Sequence, residues 1–428
     1  MELPLGEGTV EFELPDCEVD VARAPGADPV DPREAAERAL ATPDGPSLAS
    51  LTDPDDEGAI VVTDGTRATP DGILVDCLLD ELAGAGVDRG QVTVVVGLGL
   101  HRPMIEAELH EMLGEHADIA VNHDPEDTVV VGHVDGTPVE LNRRVAEADL
   151  VLSTGMVEPH QYAGFSGGAK TVAIGAGGEP LIRYTHGPEM LAREGVRLGR
   201  IDDNPFRDAI DRAGDVVGLD FCLNVTYGPQ GCLGAAAGDP RAVVAELAEV
   251  ARNALSVEVE DEYDAVVAGV GAPKDANLYQ TTRAFTYVVL GAKNPLREGD
   301  RREPSDRASG SDRRERHASR EGGRVVVPAA LPEGAGEGTG ERRFYRYLSG
   351  ATSAEALYES MREGYEPGAQ RAFVVARALR QHSLYITSSH AAEVVEECLM
   401  AHCERVEDAI EPGSRVLVVP EALHTLLV

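Results

Sequence analysis

Short apolar segments alternate with helical patterns along this chain from about residue 59 onward. Residues 59–63 predict a buried strand, and Pro70 opens a helical pattern that follows it. Residues 91–96 and 149–155 predict two further strands. Strands that alternate with helices favour mostly parallel sheets covered by helices on both faces. The predicted fold class is therefore α/β, with functional residues expected at the carboxyl ends of the strands.

An acidic segment at residues 257–263 interrupts this alternation and predicts a domain boundary. We expect a catalytic, nucleotide-binding domain over residues 1–256 and a second α/β domain over residues 257–428. Residues 297–324 stand apart in the second domain, because they contain nine arginines and seven acids and almost no aliphatic residue. A nucleic-acid-binding arm is one interpretation of this segment. Its nearly balanced charges favour a solvated loop.

The net charge of the chain limits its partners. The sequence has 75 acidic and 38 basic residues, which gives a formal net charge of -37. Such a surface repels nucleic acids and anionic membranes, so neither is an expected partner. No stretch approaches the roughly 18 apolar residues of a membrane span, and the N-terminus lacks the basic region of a signal peptide. These features predict a cytoplasmic protein.

Lysine is almost absent from the chain. Only three of the 38 basic residues are lysine, namely Lys170, Lys274 and Lys293. Arginine cannot replace a reactive amine, because its guanidinium group stays charged at accessible pH. Lys170 ends the glycine-rich segment F-S-G-G-A-K, and Lys274 lies in A-P-K-D after a predicted strand. Both positions are interpreted as functional amines, whereas Lys293 is interpreted as an ordinary surface residue.

Polar motifs follow three of the predicted strands. D-G-T-R-A-T-P (residues 64–70) offers Thr66 and Arg67 at a helix N-terminus, which indicates either an anion site or a simple helix cap. G-L-G-L-H-R (residues 97–102) presents His101 and lacks the third glycine of a dinucleotide fingerprint. G-F-S-G-G-A-K-T (residues 164–171) has alanine where a phosphate-binding P-loop has its second glycine, which argues against nucleotide hydrolysis.

Together these motifs resemble the nickel-dependent lactate racemase family. The resemblance includes E-P-H-Q-Y-A-G-F-S-G-G-A-K (158–170), Y-T-H-G (184–187) and A-P-K-D-A-N-L-Y-Q (272–280). It implies a two-domain α/β fold with the active site in the cleft between the domains. It also implies a nickel-pincer nucleotide, a pyridinium mononucleotide whose thioamide and thiocarboxylate hold nickel, together with partner enzymes that build this cofactor.

The resemblance also assigns roles to residues of this chain. Lys170 would carry the cofactor covalently as a thioamide, and His186 would be the protein ligand of nickel. The remaining assignments concern substrate, acid–base chemistry and the cofactor: His101 and His160 as the acid/base pair, Arg67 and Lys274 for the substrate carboxylate, Asp64 as an orienting residue, and Thr66, Ser166, Gly167 and Gly168 for the cofactor and its phosphate.

The implied activity is racemisation or epimerisation of lactate or another small 2-hydroxy acid by reversible hydride transfer. Characterised lactate racemases have a tryptophan in the substrate pocket, and this chain has none. A 2-hydroxy acid other than lactate is therefore an open alternative. Two other functions also remain open, namely a nicotinamide- or zinc-dependent enzyme and a non-catalytic protein that binds a nucleotide or nickel.

The acid excess and the near absence of lysine are typical of halophilic proteins, in which salt screens the repulsion between surface carboxylates. We therefore expect the protein to lose structure in dilute buffer and to regain stability as salt is raised to molar concentration. Thermal unfolding followed by circular dichroism at several salt concentrations tests this. A melting temperature that does not change with salt would contradict it.

Overall fold

A computed structural model of the chain describes residues 1–99, 101–260, 262–298, 322–366 and 368–428. Most of the charged segment 297–324 lies outside these residues, so neither interpretation of it is tested. The described residues form two compact units, residues 26–255 and residues 1–25 with 256–428. The chain passes from one unit to the other between residues 255 and 256. Residues 1–25, predicted with the N-terminal domain, lie in the second unit because Glu18–Val21 pairs with one of its strands.

The strands are numbered in chain order, and the helices are given by their residues. The strands are β1 (Glu2–Leu5), β2 (Gly8–Glu11), β3 (Glu18–Val21), β4 (Gly58–Val62), β5 (Val92–Val96), β6 (Ala120–Asn122), β7 (Thr128–Val134), β8 (Thr137–Asn142), β9 (Leu150–Met156), β10 (Pro159–His160), β11 (Gly164–Phe165), β12 (Phe221–Gly228), β13 (Gly231–Gly238), β14 (Ser256–Val257), β15 (Ala265–Ala268), β16 (Arg324–Pro328), β17 (Ser383–Thr387), β18 (Ala401–Cys403), β19 (Arg415–Val419) and β20 (Leu426–Leu427). The described α-helices are Pro32–Ala41, Leu48–Leu51, Asp71–Ala85, Glu106–Leu113, Arg143–Ala146, Glu179–Thr185, Pro188–Leu191, Pro205–Val217, Pro240–Leu255, Leu278–Val289, Thr339–Ser349, Ala354–Glu363, Gln370–Leu379 and Ala392–Glu397.

The unit of residues 26–255 is built on a six-stranded sheet in the order β13-β12-β9-β4-β5-β6. All neighbours are parallel except the β12–β13 hairpin. Each residue of β4 is buried, as expected for an apolar strand covered on both faces. One face packs on the helix Asp71–Ala85 through Leu74, Leu78 and Leu82. The other face packs on a cluster that includes Val145 and Val172.

The other unit contains a fully parallel six-stranded sheet in the order β18-β17-β16-β15-β19-β3. Its central strands β15 and β16 are short runs of alanine and valine that are largely buried. Helices such as Leu278–Val289 and Gln370–Leu379 bury apolar faces in this unit. The predicted α/β fold with mostly parallel sheets flanked by helices is therefore confirmed. None of the described helices is both long and apolar enough to cross a membrane.

The strand order creates a crevice in the unit of residues 26–255. From β4 the chain continues to β5 and β6 on one side, and then returns so that β9 lies on the other side of β4. The connections that leave the carboxyl ends of β4 and β9 therefore diverge. Ligands of open α/β sheets bind at such switch points. Thr63 and Asp64 follow β4, and Glu158 follows β9, so the predicted motifs meet at this crevice.

Candidate active site

The segment after β4 lines the crevice with charged groups. Asp64 is buried and accepts hydrogen bonds from the backbone N–H of Thr66, at 2.9 Å, and from the Thr66 hydroxyl. Arg67 is exposed and pairs with Glu158 from the end of β9, with 3.2 Å between Nη1 and Oε1. Thr69, which the helix-cap interpretation requires, makes no capping hydrogen bond, and its hydroxyl is buried without a protein partner. The geometry therefore favours an anion or ligand site over a simple cap.

His101 and Asp64 form a pair across the ends of β5 and β4. The Nδ1 atom of His101 lies 2.5 Å from Oδ2 of Asp64. Burial by itself would raise the pKa of Asp64, but the hydrogen bonds from His101 and Thr66 outweigh it and lower the pKa to about 2. Because an ionised carboxylate can only accept, the Nδ1 atom of His101 carries the proton. In the neutral form of this exposed imidazole, Nε2 is therefore the atom that can accept a proton.

His160 has the opposite tautomer. It lies in the small β10–β11 hairpin, and its Nδ1 atom accepts hydrogen bonds from the backbone N–H groups of Tyr162, at 3.3 Å, and Ala163, at 3.1 Å. The proton of the neutral imidazole must therefore be on Nε2. Burial and the nearby cations Lys170 and Arg67 lower the pKa of His160 well below its usual value. His160 is thus a neutral ring that presents an N–H group.

His186 caps the end of the helix Glu179–Thr185. Its Nδ1 atom lies 3.2 Å from the carbonyl oxygen of Ile182 and 3.0 Å from the hydroxyl of Thr185. Donation from Nδ1 to a backbone carbonyl leaves the lone pair of Nε2 available, which is the usual arrangement of a metal-binding histidine. Burial, together with the charge of Lys170, lowers the pKa of His186 to about 3. The imidazole therefore stays neutral and able to bind a metal across the physiological pH range.

Two aromatic rings hold His160 and His186 beside each other. The ring of Phe206, which is fully buried, lies 5.0 Å from that of His186 and 6.2 Å from that of His160. Tyr162 makes edge-to-face contacts with the same two histidines, at 5.8 and 5.6 Å between ring centroids. These contacts fix the imidazole planes in an apolar wall.

Lys170 belongs to the same cluster. Burial lowers the pKa of its amine to about 7, and the cations Arg67 and Arg207 add to the effect. Its charge is in turn one of the causes that lower the pKa of both His160 and His186. The three groups therefore interact electrostatically within one pocket. The lower pKa increases the share of the neutral amine near pH 7, which is the form that acts as a nucleophile.

Known proteins resemble this chain. Residues 5–199 match the lactate racemase N-terminal domain family. The resemblance to the lactate racemase family is confirmed. The lactate racemase of Thermoanaerobacterium thermosaccharolyticum is 25% identical over 455 residues, which cover 100% of this chain and 99% of that protein. The lactate racemase of Lactiplantibacillus plantarum is 24% identical, over 92% of this chain and 91% of that protein.

Solved structures share the fold. The lactate racemase apoprotein from T. thermosaccharolyticum superposes with a TM-score of 0.83 at 23% identity, covering 100% of this chain and 99% of that chain. A protein from Thermotoga maritima gives a TM-score of 0.60 at 16% identity, over 93% of this chain and 98% of that chain. Since lactate racemases are isomerases, the predicted enzyme class is confirmed at the level of these relatives.

The glycine-rich loop of this lactate racemase relative differs in one respect from the predicted phosphate cradle. Gly167 and Gly168 adopt φ values of 78° and 58°, which suit only glycine without strain. The Ser166 hydroxyl donates to the carbonyl of Met156 at 2.6 Å, and the Gly168 N–H donates to Oδ1 of Asn224 at 2.8 Å. These donors are therefore already used within the protein. A phosphate role for Ser166 and Gly168 stays a prediction and requires them to exchange partners.

Lys274 lies in the other unit, in the connection between β15 and the helix Leu278–Val289, directly after the Ala272–Pro273 peptide bond. Its side chain is exposed. Its place opposite the histidines in a cleft between domains, and its contact with a substrate carboxylate, stay predictions.

Three functional candidates were missed by sequence analysis. Arg207, Asn224 and Asp71 are all almost completely buried beside the motif residues. Arg207 binds carbonyl groups of the glycine-rich loop, and Asn224 binds its Gly168 amide. Arg207 and Asn224 are remote from the motifs in sequence, so only folding reveals them. For Asp71 a signal did exist, because a carboxylate directly follows the Thr-Pro pair at a helix start.

Among the described residues, no three His, Cys, Asp or Glu side chains converge as a metal site. A metal ion bound by His186 would therefore need most of its ligands from a cofactor. The available Nε2 of His186 and the Lys170 amine, whose pKa is lowered to about 7, fit such a group, because one can bind the metal and the other can form a covalent bond to the cofactor.

Asp71 gives a pH-dependent prediction. Burial raises the pKa of Asp71 to about 7, although hydrogen bonds from Thr154 and Thr63 oppose the effect. Because the folded protein binds this proton more tightly than the unfolded chain, Asp71 lowers stability as pH rises from about 4 to about 7. Each pKa unit is worth about 1.4 kcal/mol. The free energy of unfolding of Asp71→Asn, relative to that of wild type, should therefore be higher at pH 8 than at pH 4, by a few kcal/mol at most. Urea unfolding at both pH values measures this difference.

Asp80→Asn, at an exposed position on the same helix Asp71–Ala85, is the matched control. Its stability difference from wild type should change little between the two pH values. If the stability difference between Asp71→Asn and wild type were also constant with pH, the pKa of Asp71 would not be raised by burial.

Proposed function

We propose that this chain is a racemase or epimerase of lactate or another small 2-hydroxy acid, and that it uses a nickel-pincer nucleotide bound at Lys170 and His186. The observation that carries the proposal is the convergence of His160 and His186 on Phe206, close enough to Lys170 for its charge to act on both imidazoles, together with the His101–Asp64 pair at the strand switch point. Similarity to lactate racemases over the whole chain supports it.

Lys170 and His186 are the residues proposed to hold the cofactor. The Lys170 amine would be bonded to it, and Nε2 of His186 would be the protein ligand of nickel(II), which favours square-planar sites. When bound, the group supplies an acceptor for the hydride of the substrate carbon. Enzymes that build the cofactor are expected in the same cell, and the proposed location is the cytoplasm.

The protein's own contribution is proton transfer and orientation. The C–H proton of a 2-hydroxy acid is far too weakly acidic for a histidine to remove unaided, which is why the hydrogen would leave as hydride. The hydroxyl proton must leave at the same time, and the unprotonated Nε2 of His101 can take it. Asp64 then stabilises the imidazolium that forms. His160 offers its Nε2–H to the substrate oxygen, so the proposed acid/base pair is prepared with one acceptor and one donor.

Substrate binding is proposed to use cations and an apolar wall. Arg67 projects into the crevice, and its guanidinium can form paired hydrogen bonds with a carboxylate, to which Lys274 would add a second positive charge. Arg67 is held by Glu158 at 3.2 Å and could exchange this partner for substrate. Tyr162 and Phe206 exclude water on the side of His160. The absence of tryptophan leaves lactate and a different small 2-hydroxy acid as alternatives.

The proposal predicts the composition of the natively produced protein. It should contain close to one nickel per chain, and the peptide bearing Lys170 should carry the added mass of the cofactor. Metal analysis and peptide mass spectrometry measure both. Active protein with an unmodified Lys170 would refute the proposal. Zinc, or a bound nicotinamide nucleotide, would favour the alternative enzyme class, and a loaded protein inactive on a panel of 2-hydroxy acids would favour a binding protein.

Replacing either histidine should remove racemisation. His101→Ala loses the proton acceptor, and His160→Ala loses the donor, so each is expected to lower kcat by about a hundredfold or more. The rate of racemisation followed by polarimetry measures this. His110→Ala, on the exposed face of the helix Glu106–Leu113, is the control and should be fully active. Full activity of His101→Ala or His160→Ala would reject the role of that residue.

A further inference from the structure

Arg207 has no role in the mechanism above, although it is a buried cation in the unit of residues 26–255, with a relative exposure of 2%. It lies in the first turn of the helix Pro205–Val217. A buried guanidinium is costly unless its donors are satisfied. Its partners therefore indicate what it is for.

The guanidinium group of Arg207 holds three successive carbonyl groups. Nη2 donates to the carbonyl oxygens of Phe165 and, at 3.4 Å, Ser166, and Nη1 donates to that of Gly167 at 3.4 Å. These residues directly precede Gly168, Ala169 and Lys170. The rigid fork of a guanidinium is suited to several acceptors at once, whereas an ammonium is not.

Packing from two sides completes this support of the loop. Gly214, on the same helix as Arg207, has no room for a side chain because Ala169 lies against it. On the other side, Asn224 holds the Gly168 amide. The backbone that carries Lys170 is therefore fixed immediately before and beside the amine.

The charge of Arg207 also acts on the amine. Burial is the main cause that lowers the pKa of Lys170, and Arg67 and Arg207 are the two cations that add to it. Glu158 and Asp64 act in the opposite direction. Arg67 is exposed and paired with Glu158, so solvent and its partner weaken its effect. Arg207 is buried, and its acidic partner is Asp211, at 3.2 Å, whose pKa is itself raised by burial.

We propose that Arg207 is a positioning residue for Lys170: it fixes the loop that carries the amine and holds a buried positive charge close to that amine before any cofactor is attached. The assignment of Lys170 as the attachment residue rests on the proposed function. The effect of Arg207 on the amine does not, and it can be measured in protein that has never contained cofactor.

The scarcity of lysine makes the experiment direct. Protein produced without the cofactor, with an unmodified Lys170 by mass, is treated with the N-hydroxysuccinimide ester of acetic acid between pH 6 and 10. The neutral amine forms an amide bond, N-hydroxysuccinimide leaves, and the nitrogen gives its proton to the buffer. Peptide mass spectrometry then gives separate rates for Lys170, Lys274 and Lys293. In wild type, the rate for Lys170 should reach half its plateau near pH 7, well below the usual pKa of a lysine side chain.

The variants separate charge from hydrogen bonding. Arg207→Gln keeps an amide donor but removes the charge, so acetylation of Lys170 at pH 7 should fall about two- to fivefold as the midpoint rises. Arg207→Lys restores the charge and should return the midpoint toward the wild-type value. Arg252→Gln is the matched control, because Arg252 stacks on the ring of Phe165 from outside this hydrogen-bond network and should leave the midpoint unchanged.

The proposal would be overturned if the folded Arg207→Gln variant had the same Lys170 midpoint as wild type. It would also be overturned if Lys170 of wild type had the midpoint of an ordinary lysine, at about pH 10. If Arg207→Gln does not fold, Asp211→Asn decides instead. It removes the carboxylate beside Arg207, so the Lys170 midpoint should fall further, and an unchanged midpoint would refute the proposal. Failure of the proposed function looks different, because the Lys170 midpoint would be as expected while native protein contained neither nickel nor a modified lysine.

Discussion

The burial of one amine beside fixed positive charge is the constraint on which the site depends. An ordinary lysine is protonated at neutral pH and is a poor nucleophile, and a charged amine next to imidazoles would repel a cation. Burial together with Arg67 and Arg207 lowers the pKa of Lys170 to about 7, so that this amine can be uncharged and nucleophilic near neutral pH. The same electrostatics keep His160 and His186 unprotonated. The proposed metal ligand, the proposed attachment residue and a hydrogen-bond donor can therefore share one small pocket without competing for protons.

The fold creates this pocket by bringing distant segments to one sheet edge. Because β9 lies beside β4 while β5 and β6 lie on the other side, the residues after β4, β5 and β9 end at the same crevice. His101 and Asp64 come from adjacent strand ends, and the loop after β9 adds His160 and Lys170. Buried Asp71 links two of these ends, since it accepts hydrogen bonds from Thr63 after β4 and Thr154 in β9. Burying this acid is unfavourable, but its two hydrogen bonds join the strand ends that form the crevice.

How much of this was readable from the sequence differs between levels of structure. The strands and helices were predictable, because apolar runs such as 59–63 and 149–155 have the length and composition of covered strands, and their observed bounds differ by only a residue. The lactate racemase motifs identified the polar residues of the crevice. The place of residues 1–25 was not readable, since pairing of β3 with β19 joins segments nearly 400 residues apart, and no local pattern encodes such pairing. Tautomers were also beyond the sequence. Nothing in the spacing of His101 and His160 indicates that one Nδ1 faces a carboxylate and the other faces two backbone amides.

Because the two imidazoles differ in tautomer, they are not equivalent as acid/base groups. Two equivalent acid/base residues would each need to gain and lose a proton at Nε2. The contacts of His101 permit this, because Asp64 compensates the charge that protonation creates. The contacts of His160 oppose it, because protonation at Nδ1 would break two backbone hydrogen bonds and add a cation beside Lys170 and Arg67. In the proposed reaction, proton uptake would therefore take place at His101, and His160 would chiefly hold and polarise an oxygen atom.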